Sequence, residues 1–239
     1  MNAFNPLDYL TASLFSFTAV HPTSPRAKGE TVAFMDSQLD LEEGMCRFMT
    51  VLCRSGDDDT RKRARFLVYS VFLNNLNRRR GSVVRLYGDD STIVSDAWWV
   101  FEQPMGFFAI IEFVYLFLTD IFWRGLRATG FRKMIQGIKT WMFTLITVPK
   151  KDGREVPYID LNNLAVCESR RGQGIGTAQM KIGCHAADRL GVPIRLQVAD
   201  DELIAFYERF GFVDMGQIPN LPEAIGYYHW MVRWPKSVA

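Results

Sequence analysis

The chain has 239 residues, 48% of them hydrophobic and 23% charged, with a formal net charge of +2. That length buries a substantial core as one large domain or two small ones, and the composition is that of an ordinary globular protein. So small a charge excess, with no long basic face, gives no footing for nucleic acid, and Cys46, Cys53, Cys167 and Cys184 have neither metal-site nor CxxC spacing.

Residues 1–30 carry little pattern. Pro6 to Ala19 is predicted as a short amphipathic helix on Leu7, Leu10, Leu14 and Phe17, followed by a break at His21-Pro22-Thr23-Ser24-Pro25. Thr31 to Met35 reads as an edge strand. Leu39 to Leu52 has helical spacing through Leu41, Met45, Phe48, Met49 and Leu52, and Ser55-Gly56-Asp57-Asp58-Asp59 can cap a second helix over Thr60 to Leu76. Arg61-Lys62-Arg63 and Arg78-Arg79-Arg80 are short enough to be solvated helix ends. Gly81 to Tyr87 and Thr92 to Phe101, separated by Gly88-Asp89-Asp90-Ser91, form a hairpin signal.

Met105 to Trp123 is nearly continuous apolar sequence. Its eleven Phe, Ile, Leu and Val residues contribute about −0.3 to −0.6 kcal/mol each to insertion, but Asp120 alone costs about +3 kcal/mol near the centre and Glu112 adds to it. The sum is near zero, so no membrane span is expected. The expectation is a buried or lid-forming helix with Glu112, Tyr115, Thr119 and Trp123 as a polar seam, paired with a second helix over Phe131 to Leu145. The N-terminus lacks a basic start before its apolar residues, and the cysteine usage reads as reduced, so a cytoplasmic protein is expected.

Pro149 to Pro157 reads as a charged loop. Leu161 to Val166 is a short apolar strand, and Arg170-Arg171-Gly172-Gln173-Gly174-Ile175-Gly176-Thr177 leads into a helix marked by Gly176, Met180, Cys184, Ala187 and Leu190 and stopped by Gly191. Val192 to Val198 alternates as a half-buried strand, with Arg195 and Gln197 on its polar side. Asp200-Asp201 caps a short helix with Leu203, Phe206 and Phe210 inward, ended by Gly211. Phe212 to Ile218 and Gly226 to Trp234 are the last strands. A strand that runs through glycines into a helix N-terminus is suited to polyanions, because glycine permits close backbone approach and the first helical N–H groups lack internal partners. It is neither a Walker A loop nor a Rossmann G-x-G-x-x-G.

Arg171-Gly172-Gln173-Gly174-Ile175-Gly176, after Leu-Ala-Val, resembles the Gln/Arg-x-x-Gly-x-Gly/Ala acyl-CoA-binding motif of the GNAT superfamily of N-acetyltransferases. Phe206-Tyr207-Glu208-Arg209-Phe210-Gly211-Phe212 resembles the second GNAT signature, and Tyr227 to Pro235 is similar to the family's closing strand. The resemblance rests on motifs over residues 158–235 and on element order alone over 31–104. It implies an α/β fold with a mixed, mostly antiparallel sheet flanked by helices. It also implies an N-terminal extension over 1–30, one domain over 31–239 and a helical-pair insertion at about 105–147.

The implied activity is transfer of an acetyl group from acetyl-CoA, with no metal, to a primary amine, expected to be that of a small molecule, by direct attack in a ternary complex. A protein or peptide acceptor, or a non-catalytic acyl-CoA-binding interaction protein, are the alternatives, and a homodimer is left open. In the family, pantetheine pairs with a splayed strand edge, here Leu164, Ala165 and Val166, with the Val166 N–H as oxyanion donor. Arg171, Gly172, Gln173, Gly174, Ile175, Gly176 and Thr177 would hold the pyrophosphate. Tyr207 would protonate the leaving thiolate. Asp200 stands where the family often has Asn, which puts that contact in doubt. Asp160 corresponds to a catalytic glutamate of some members, with side chains at 160, 162 and 164 expected on one strand face. Glu112 and His229 are the other candidate bases, His229 being more readily a satisfied structural histidine.

Overall fold

The structure, a computed structural model of the chain, describes residues 4–9, 15–20, 25–38, 81–103, 148–198, 201–218 and 228–236. Among these, seven strands form one sheet. They are β1 (Thr18–Val20), β2 (Ser82–Tyr87), β3 (Ile93–Glu102), β6 (Tyr158–Val166), β7 (Ile194–Val198), β8 (Val213–Gln217) and β9 (His229–Arg233), in the order β1-β2-β3-β6-β7-β9-β8. All neighbours are antiparallel except β6 and β7. That parallel pair needs a crossover, and helix α2 (Ile175–Leu190) supplies it. Among the described residues α1 (Pro25–Gln38) and α3 (Asp201–Glu208) are the other α-helices, and β4 (Lys150–Lys151) and β5 (Arg154–Glu155) make a separate small hairpin. The mixed, mostly antiparallel α/β sheet is the fold implied by the motifs.

The sheet has two buried faces. On one, α2 covers Val84, Ala97, Trp99, Ile159, Leu161, Ile194, Leu196 and Met231 through Met180, Ile182, Cys184, Ala186 and Ala187. Gln179, fully buried, donates to the Val84 carbonyl at 2.9 Å and the Ser95 hydroxyl at 3.1 Å, which pins the helix across the β2–β3 hairpin. On the other, Val32, Phe34 and Met35 of α1 pack on Val83, Trp98, Val100 and Ala165. Beneath α1, Arg85 and Asp96 form a buried bidentate pair at 2.7 and 2.8 Å, with Thr31 accepting a further bond from Arg85.

Several local expectations are corrected. Thr31 to Met35 is helical, inside α1, and the edge strand is β1; burial of Val32 and Met35 on the sheet overrides the β-preference of Thr-Val. Pro6 to Ala19 is not one helix: a 3₁₀ turn at Pro6–Tyr9 packs on α2, and Thr18–Val20 pairs with β2. The boundary drawn at residue 30 therefore falls within α1, and Thr18–Val20, before it, belongs to the sheet. Pro149 to Pro157 contains the β4–β5 hairpin rather than plain loop. Leu203 is exposed, not inward. The helices expected over 39–52, 60–76 and 105–147 lie outside the described residues.

Candidate active site

β6 does not run straight. Its pairing with β3 slips between Trp98↔Asn163 and Trp99↔Leu161, so Asn162 is an extra, bulged residue. On its other side, β6 pairs with β7 only at Ile159↔Ile194, Asp160↔Arg195 and Leu161↔Leu196, while β7 stays paired with β9 out to Val198. The two strands therefore fork beyond Leu161. The Cys167 N–H donates to Val94 of β3 at 2.8 Å. Backbone N–H groups alternate sides along a strand, so those of Val166 and Leu164 point away from β3 and into the fork. An unpaired strand edge of this kind can receive an amide-bearing chain by strand addition.

The bulge also changes side-chain parity. Asp160 lies opposite Val100, on the α1 face, whereas Leu164 packs against the α2-side core. The expectation that 160, 162 and 164 share one face is thus overturned, since one inserted residue flips every later side chain. The signal was present in Asp160-Leu161-Asn162-Asn163-Leu164, where two consecutive polar residues break the alternation.

Beyond the fork, a 3₁₀ turn at Glu168–Arg170 leads into the glycine loop. Gly172 and Gly174 have φ of 77° and 80°, in the left-handed region open to glycine, and Gly174 is the N-cap of α2. A Cβ at either would meet nothing within 4 Å, so the loop surface is open. No side chain caps the helix, and Arg170 to Gly174 are exposed. The first N–H groups of α2 are therefore offered outward with the positive end of its dipole, beside two arginines. The Arg171 Nε donates to the Val166 carbonyl at 3.4 Å, joining loop and fork edge.

The third wall is α3. A Cβ placed on Gly176 would stand 3.8 Å from both Phe206 Cζ and Val166 Cγ2, so loop, strand tip and α3 converge there. Tyr207 is buried at 8% exposure, its ring edge-on to Phe206 at 5.1 Å and to Phe212 at 5.8 Å. Burial alone pushes its pKa well above the ordinary phenol value, so it is held protonated.

Asp160 is differently placed from what a free base requires. Both its oxygens accept from Arg195, Nε at 2.8 Å and Nη2 at 2.8 Å, and both residues are buried. Arg195, expected on a solvated side, is thus inside; its guanidinium also lies over the Tyr158 ring at 5.3 Å. Burial works against its charge, but Asp160 first, then Tyr158 and Glu102, keep its pKa above the ordinary value. Arg195 was legible only as the polar half of an alternating strand. His229 sits on β9, with β7 between it and β6, its Nδ1 2.7 Å from Asp214 Oδ2, while Asp214 Oδ1 accepts from the Gly216 N–H at 2.8 Å. That pair ties β8 to β9. Glu112 and Asp200 lie outside the described residues.

Residues 143–214 match the family model described as an acetyltransferase (GNAT) domain. No curated protein sequence matches significantly. Among solved structures, the chain is similar to a Corynebacterium glutamicum protein described as histone acetyltransferase HPA2 and related acetyltransferase. The TM-score is 0.60 at 16% identity, covering 93% of this chain and 98% of that one. It is also similar to a mosquito arylalkylamine N-acetyltransferase like 5b, with TM-score 0.53 at 13% identity over 92% and 100% of the chains. Arylalkylamine N-acetyltransferase 2 from Aedes aegypti gives TM-score 0.52 at 11% identity over 92% and 99%. At these identities the likeness is one of fold.

Proposed function

From a chain that carries a GNAT acetyltransferase domain, we propose an enzyme that transfers the acetyl group of acetyl-CoA to a primary amine of a small molecule, by direct attack in a ternary complex. One observation carries this reading: a forked strand edge ends in an uncapped glycine loop at a helix N-terminus. A pyrophosphate on Gly172 to Thr177 would point the pantetheine arm along Leu164 to Val166, where strand-like hydrogen bonds need no particular side chains.

The Val166 N–H, aimed into the fork, is the donor for the oxyanion that forms as the amine attacks the thioester carbonyl. Tyr207, kept neutral by burial, gives its proton to the departing thiolate. The amine must lose a proton to a base, and Asp160, with both oxygens engaged, is assigned instead to the framework of the fork. The acceptor is read as an amine with an apolar part, from the apolar character of the 105–147 sequence. The fold neighbours include proteins named for arylalkylamines and one named with a histone acetyltransferase, so peptide amines belong in the same acceptor panel.

The test is calorimetric. Wild-type protein is expected to bind acetyl-CoA, and Gly174→Glu, which sets a carboxylate where the pyrophosphate would lie, is expected to abolish binding while retaining a cooperative melting transition. Unchanged affinity in the variant would move the cofactor off this loop. An amine and peptide panel then separates the acceptor classes.

A further inference from the structure

Asp160 and Arg195 face each other at the middle of the three β6–β7 rungs. They are joined by two bonds of 2.8 Å and are 5% and 7% exposed. One rung later, at Leu161 and Leu196, the pairing ends, and Asn162 bulges next to it. Beyond that rung β6 stays paired with β3 to Val166 and β7 with β9 to Val198, so the sheet parts between β6 and β7.

A buried ion pair of this kind is a poor source of stability, since a hydrophobic pair of similar volume avoids the desolvation of two charges. It is a good source of geometry. A planar guanidinium bonded to both oxygens of one carboxylate, with its face on the Tyr158 ring, accepts a narrow range of strand spacings and a single register. Asp160 is also the register partner of Val100 on β3, so the pair joins β6 to β7 at a level where β6 is held on both sides, just before the fork begins.

We propose that the Asp160–Arg195 pair positions the apex of the fork, and so fixes how deeply the pantetheine arm and its thioester enter beside Leu164 to Val166. The pair acts through the strands and touches no reacting atom. This rests on the acetyl-CoA reading above.

The experiment compares wild type with Asp160→Asn and with the paired apolar change Asp160→Leu/Arg195→Met, by melting and by calorimetry with two ligands. Acetyl-CoA spans loop and fork. The fragment 3′-phospho-ADP carries the pyrophosphate and no pantetheine arm, and so reports on the loop alone. The paired variant is expected to melt cooperatively and to bind 3′-phospho-ADP as wild type does. Its affinity for acetyl-CoA should fall about tenfold or more, about 1.4 kcal/mol per decade. Asp160→Asn should show the same selective loss; if it fails to fold, the paired variant, which leaves no lone buried charge, carries the test. Unaltered acetyl-CoA affinity in the paired variant, or equal losses for both ligands, overturns the inference. Wild-type protein that binds neither ligand overturns the acetyl-CoA reading and the positioning role with it, an outcome distinct from failure of the paired variant alone.

Discussion

Tyr207 shows how one side chain's chemistry depends on its burial. In water a phenol is a sluggish acid near pH 7, but it is at least reliably protonated, and burial among Phe206 and Phe212 extends that range upward from the ordinary 10.0. Tyr207→Phe keeps the ring packing and removes only the proton, so kcat should fall on the order of 10²-fold, with acetyl-CoA affinity by calorimetry nearly unchanged. The sign of the pH dependence follows from the shift. The acid form is lost only above a raised pKa, so Tyr207 should cause no decline in kcat up to pH 10; a basic limb near pH 9 that vanishes in the Phe variant would contradict the raised pKa, though not the acid role. The motif around Tyr207 was readable from sequence because it is contiguous. The engagement of Asp160 was not, because its partner Arg195 is remote in the chain and meets it only when β6 and β7 pair.

Helix α2 is the element on which the site depends, and two contacts hold it. Gly183 faces the ring of Trp99, and a Cβ there would overlap that ring directly. Trp99 is fully buried and cannot yield, so Gly183→Ala should destabilise by about 1–3 kcal/mol, lowering Tm by about 2–12 °C in a melting scan. At the other end, Asp188 accepts from Arg233 at 2.7 and 2.8 Å and from the Lys236 N–H at 2.7 Å, clamping α2 to the end of β9. Burial tends to raise the Asp188 pKa, but these bonds and charges outweigh it and hold the carboxyl below its ordinary 3.8. A carboxylate depressed in the folded state contributes stability above its unfolded pKa and loses it as pH falls through the folded one. Asp188→Asn should therefore cost about 1–2 kcal/mol at pH 7, allowing for partial exposure, and the gap to wild type should begin to narrow as pH falls below about 4 in denaturant titrations at each pH. A gap that does not narrow at all with falling pH would point to packing rather than charge. The stop of α2 was legible in Gly191 and its approach in the glycine loop that carries Gly174, both left-handed caps; the fit of Gly183 over Trp99 was not, since nothing local marks which helical glycine faces a tryptophan.

For the molecule as a whole, the glycine loop follows directly on β6 while α3 follows β7, so a ligand that touches loop, fork and α3 bridges both sides of the fork and should stabilise the global fold. Acetyl-CoA at about a hundred times its Kd is expected to add about 2.7 kcal/mol, seen as a rise in Tm of about 5–11 °C. At the same multiple of its own Kd, 3′-phospho-ADP should raise Tm by a similar amount, and an unmoved Tm with acetyl-CoA is the result that counts against the site. No helix among the described residues is long and apolar enough to cross a membrane. By itself the sequence determined what short-range chemistry can express: the hairpin around Gly88-Asp89-Asp90-Ser91, the strand–glycine–helix unit and the tyrosine segment, since turn residues, caps and periodicity act over a few positions, and the family resemblance carried by those motifs implied the fold class. Only the tertiary structure decided that Thr31 to Met35 is helix, that β1 closes the sheet edge, that β6 bulges at Asn162 and that Asp160 belongs to Arg195. Each of those depends on which strand lies beside which, and strand neighbours are chosen by burial across the whole sheet rather than by the residues next in line.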